Sequence, residues 1–71
     1  MEDYSQAIGE AAGKIFRLLE KKGATPLNDV KKGSGVEDGP LFNQALGWLA
    51  REDKIRFNKE ARGLKLTIAG S

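Results

Sequence analysis

Apolar side chains return along this chain in two rhythms, steps of three and four residues up to about position 52 and steps of two beyond it. From about Asp3 to Lys22, Tyr4, Ile8, Ala12, Ile15 and Leu19 mark one stripe, thickened by Ala11 and Leu18, which is the spacing of a helix with one buried face. Asp3 with Gln6 predicts a capping box at its start, and Lys21 and Lys22 before Gly23 predict a left-handed cap at its end. Gly9 and Gly13 lie one turn apart inside it. Each costs about 1 kcal/mol of helix propensity relative to Ala, so the close approach of another backbone is expected there.

The strongest pattern is LFNQALGWLAREDKI, residues 41–55. Leu41, Phe42, Ala45, Leu46, Trp48 and Leu49 form its apolar face, and Trp48, the largest apolar side chain of a small domain, is expected in the core. The opposite face carries Pro40, Asn43, Gln44, Gly47, Ala50 and Arg51. It is small, amide-bearing and almost uncharged. Glu37 and Asp38 stand where a carboxylate would cap this helix, which should run to about Glu52.

Between these two helices, residues 24–27 suggest a very short extended segment, then Thr25 as N-cap and Pro26 at the first position of a short second helix. Leu27 and Val30 supply its core contacts, and Gly33-Ser34-Gly35 ends it. Val36 returns to the core. In the last third, Ile55 and Phe57 alternate with Arg56 and Asn58, and Leu64, Leu66 and Ile68 alternate with Lys65 and Thr67. This period of two predicts a hairpin pairing Phe57 with Leu66 and Ile55 with Ile68, closed by a four-residue loop, residues 60–63, with Gly63 in a left-handed position.

Helix, short strand, helix, turn, helix and two-stranded hairpin make an α+β chain with the element order of a winged helix-turn-helix: three helices plus a C-terminal β-hairpin wing. One domain spans residues 1–71, since a chain of 71 residues builds a single small core. The residues carry a resemblance as well. Ile8-Gly9-Glu10, Ala12-Gly13-Lys14-Ile15 and above all Ala45-Leu46-Gly47-Trp48-Leu49-Ala50-Arg51-Glu52 with Lys54-Ile55 are similar to a family of small stand-alone winged-helix proteins of bacteria and archaea with no assigned function.

Composition narrows the chemistry. With no Cys and no His, neither a disulfide framework nor the usual zinc ligands are present, and no cofactor or metal is expected. The residues that titrate near neutral pH in general-base and nucleophilic catalysis are missing too, and the adjacent acids Glu2-Asp3, Glu37-Asp38 and Glu52-Asp53 diverge on a helix, so the reading is not an enzyme. Lys32-Gly33-Ser34-Gly35 does not follow a strand and is read as a turn, not a phosphate cradle. An acidic start without an apolar run predicts a soluble cytoplasmic protein with no membrane contact.

Charge is modest overall, twelve Lys and Arg against ten Asp and Glu, but unevenly placed. Residues 54–65 hold Lys54, Arg56, Lys59, Arg62 and Lys65 against Glu60 alone. Two functional readings follow. In the first the chain binds DNA: Asn43 and Gln44 read base edges from the third helix, and Arg51, Lys59 and Arg62 contact phosphates. In the second the fold serves protein contact, with itself as a homodimer or with a protein partner, and Gly47 and Ala50, or Gly9 and Gly13, permit close helix approach. Fold alone does not choose between them.

Overall fold

The computed structural model describes residues 4–69, with the side chains of residues 5–69. The capping box expected of Asp3, and the side chain of Tyr4, lie outside that description. Three helices, α1 (Tyr4–Lys22), α2 (Leu27–Gly33) and α3 (Gly39–Arg51), pack on a three-stranded antiparallel sheet of β1 (Thr25–Pro26), which lies between α1 and α2, and β2 (Ile55–Glu60) and β3 (Gly63–Ile68), which follow α3. The sheet order is β1-β3-β2. This is the α+β winged helix-turn-helix predicted from the periodicities, with the hairpin β2–β3 as the wing.

One continuous core joins the helices to the sheet. Ala11, Ala12, Ile15 and Leu19 of α1, Val30 of α2, Phe42, Ala45, Leu46 and Leu49 of α3, Val36, Ile55 and Leu66 are buried together. Leu66 is fully enclosed because β3 is the central strand, flanked by Thr25 on one side and Phe57 on the other.

The helix ends show how local chemistry sets these boundaries. Gly23 closes α1 at φ 74, donating its N–H to the Leu19 carbonyl at 2.8 Å. At α3 the Asp38 carboxylate accepts from the Leu41 N–H at 3.0 Å, and Pro40 occupies the first turn, where its missing N–H costs nothing. Thr25 does not cap α2 as expected. Its hydroxyl donates to the Gly23 carbonyl at 2.8 Å and its backbone pairs with Leu66, so Pro26 takes the cap position without a side-chain bond.

Three further expectations are corrected. Among the described residues no backbone approaches Gly9 or Gly13: a Cβ built at Gly9 meets nothing within 4 Å, and one at Gly13 meets only the Arg17 guanidinium, at 3.9 Å. The close packing occurs at Gly33 instead, where the Leu18 side chain lies 3.3 Å from the Cβ position. The hairpin keeps the predicted register, Phe57 with Leu66 and Ile55 with Ile68, but the ladder continues to Glu60 with Gly63, so the connection is two residues, Ala61 and Arg62. Gly63 holds φ 138, a positive value that only glycine adopts without strain.

The third correction is Trp48, which is 42% exposed. At 100° per residue it sits at the rim of the α3 stripe, with Gln44 four residues before it and Arg51 three after it on the solvent side. Phe42, Ala45, Leu46 and Leu49 fill the core without it.

Candidate nucleic-acid interface

Two exposed surfaces carry the candidate residues, and each is set by its element. On α3 the buried arc of Phe42, Ala45, Leu46 and Leu49 turns Asn43, Gln44, Gly47 and Arg51 into solvent, as the pattern required. None of the side chains of Asn43, Gln44 or Arg51 has a hydrogen-bond or ion-pair partner among the described residues. Ala50 is different. It is half-buried and packs against the core, so it forms the edge of the exposed face and not its centre.

The wing presents the second surface. Paired residues of an antiparallel ladder share a sheet face, so Lys59 lies with Ile55, Phe57, Leu64 and Leu66 on the face that packs on the helices, near the tip where that face is open. Arg56, Asn58 and Lys65 lie on the opposite face, and Arg62 lies in the turn itself. Lys65 Nζ is 3.7 Å from Glu60 Oε1 in an ion pair across the hairpin. Arg56, Lys59 and Arg62 are exposed and have no ion-pair partner among the described residues.

The structure therefore brings Asn43, Gln44, Gly47 and Arg51 together on one helix face and Lys59 and Arg62 together at the wing tip. Three exposed side chains extend the picture. Arg56 adds a cation on the outer sheet face, legible from its place between Ile55 and Phe57. Phe57 and Leu64, 41% and 38% exposed, continue the apolar face of the hairpin past the helices, because alternation fixes which face a residue takes and not how far the cover reaches. A hollow of about 490 Å³ between α1 and α2, lined among others by Lys14, Arg17, Glu20 and Lys21, holds none of these candidates. Among the described residues no group of three His, Cys, Asp or Glu side chains is placed to hold a metal ion, and no helix is long and apolar enough to cross a membrane.

Comparison with known proteins agrees with this architecture. An uncharacterised protein of Methanocaldococcus jannaschii is 44% identical over 57 residues, which cover 78% of this chain and 80% of that relative. Residues 1–68 match the family described as winged helix-turn-helix domain (DUF2582). With the three helices, the short first strand and the wing in place over the same span, the chain belongs to that winged helix-turn-helix family.

Proposed function

We propose that this protein is a nucleic-acid-binding module that holds duplex DNA through the phosphates, mainly with its wing, and has no catalytic step of its own. The observation that carries this reading is the set of three exposed cations, Arg56, Lys59 and Arg62, without an ion-pair partner among the described residues, on a hairpin whose residues 56–64 are all exposed. Long cationic side chains on such a hairpin reach phosphates without disturbing the core, and each phosphate neutralised releases counterions. Winged-helix docking geometry offers the same division, with a helix toward the groove and the wing along the backbone. Asn43 and Gln44 are the side chains that a groove-entering α3 would use on adenine edges. Arg51 is the one cation beside them on that face, however, and Glu37 and Asp38 stand at its leading end, so α3 brings few of the phosphate contacts that position a recognition helix.

The test is a salt-dependent titration of labelled, mixed-sequence duplex. Wild type should bind at low salt and lose affinity steeply as salt rises. Replacing Lys59 and Arg62 together with Ala should weaken binding about equally on every sequence and reduce the magnitude of the salt slope by about 1 to 2, a little under one for each lost phosphate contact. Replacing Asn43 and Gln44 should leave the slope nearly unchanged. Absence of duplex binding at low salt would overturn the reading.

A further inference from the structure

The solvent face of α3 differs from those of α1 and α2 in carrying almost no charge. From Gly39 to Ala50 the chain has no charged residue, whereas α1 exposes Glu10, Lys14, Arg17, Glu20 and Lys21, and α2 exposes Asp29, Lys31 and Lys32. On that face Pro40, Gln44, Gly47 and Arg51 follow one another at steps of four, three and four. At 100° per residue they fall within an arc of about 60°, flanked by Asn43 on one side and Trp48 on the other. A 4-3-4 row is the seam by which two helices pack lengthwise.

We propose that α3 is the contact surface between two copies of this chain, paired antiparallel about a two-fold axis that passes between Gln44 and Gly47. In that register Gln44 meets Gly47 of the second copy, Pro40 meets Arg51, and Asn43 lies beside Trp48. Three observations select a second copy as the occupant. A two-fold contact sets a surface against itself, so a charge near its centre meets its own like; here the central positions are uncharged, and an amide both donates and accepts, so it pairs with its own kind. At the ends the charges are complementary, because Arg51 comes to lie beside Glu37 and Asp38 of the second copy and the helix dipoles oppose each other. Space is available as well: among the described residues nothing lies within 4 Å of a Cβ built on Gly47, which leaves room for Gln44 of the second copy, and Trp48 at 42% exposed stands free beside the row to cover Asn43 of the second copy. Charge depletion around Trp and Arg is also the composition of interface centres. The pairing goes beyond the nucleic-acid reading: it covers Asn43 and Gln44, and its test contains no nucleic acid.

Sedimentation velocity on the full chain, from micromolar to millimolar concentration, reads the mass directly, and the single tryptophan reports the interface by its emission. Wild type should approach twice the chain mass as concentration rises, with Trp48 emission shifting to the blue. Gly47→Glu should stay at one chain mass with red-shifted emission at every concentration, and should melt no lower than dilute wild type because its side chain enters open space. Arg51→Glu should also lose the dimer, and adding Glu37→Arg to it should restore the dimer. A wild type that stays monomeric at millimolar concentration overturns the proposal, as does a dimer that survives Gly47→Glu. A double variant that remains monomeric overturns the antiparallel register.

Discussion

Asp53 holds φ 61, the one non-glycine residue with positive φ among those described, and it does so to end α3. The Asp53 N–H donates to the Ala50 carbonyl and the Lys54 N–H to the Leu49 carbonyl, at 3.0 and 2.9 Å, the paired bonds of a Schellman turn that usually places Gly where Asp53 stands. Asp53→Gly should therefore raise thermal stability, by about 1 kcal/mol or less once the added freedom of the unfolded chain is counted; a lower melting temperature would show that the Asp side chain has a role of its own there. Trp48 poses the opposite question, a large apolar residue whose removal should cost little. Measured dilute, Trp48→Ala should cost well under the about 3–5 kcal/mol expected for Phe42→Ala, whose ring is 1% exposed. Chemical denaturation of both variants side by side checks the ranking, and equal losses would place Trp48 in the core after all. The sequence misleads at Trp48 because size and apolar character say that a residue gains by burial, whereas the angle about the helix axis decides whether it is buried. The polar neighbours Gln44 and Arg51 carried that angle.

At the scale of elements, periodicity was sufficient for α1, α3 and the hairpin register, since a slip of one residue would have sent Ile55, Leu66 and Ile68 to the solvent face. It was insufficient wherever the outcome depended on a neighbour. Thr25 was available both to cap α2 and to bond the Gly23 carbonyl, and pairing of its backbone with Leu66 decided the matter. Gly9 and Gly13 suggested a close contact that the described residues do not make, because Gly9 is exposed and the half-buried Gly13 has only the Arg17 side chain near it. Gly63 was legible as a turn glycine, yet its φ of 138 lies outside the left-handed helical value expected and belongs to a ladder that reaches the tip. Gly63→Ala should strain that tip by about 1–3 kcal/mol. The expected signature is local: amide exchange protection falls along residues 59–64, while the Ile15 and Leu19 amides in α1 keep theirs. Uniform loss of protection would mean that the wing and the core unfold as one unit.

At the scale of the molecule, charge is segregated more sharply than a formal net of +2 suggests. Residues 54–65 carry five cations and one acid, a net of +4, which leaves seven cations and nine acids, a net of −2, on the rest of the chain. Two of those nine acids are Glu2 and Asp3; among the described residues the helical body balances seven cations with seven acids, so a polyanion would be drawn to the wing and gain no net attraction from the body. A surface function of this kind would leave little trace in hydrophobic pattern, because solvent-exposed positions are free of the periodic constraint that made the core readable; only the clustering of Lys and Arg near the C-terminus points to one. The segregation bounds what the wing can do. Lys65 is engaged with Glu60 at 3.7 Å, so Arg56, Lys59 and Arg62 are the wing cations left to meet phosphates, together with Lys54 at its base. At about 0.9 per neutralised phosphate, one chain using those three wing cations should show a salt slope of about −2.7 on duplex DNA, near −3.6 if Lys54 joins them. Affinity measured at four or more salt concentrations, with the protein dilute enough to remain a single chain, gives this slope without knowledge of any target sequence. A value near −6 would require cations from the helical body, and a slope near zero would mean that phosphate contact is not how this domain binds.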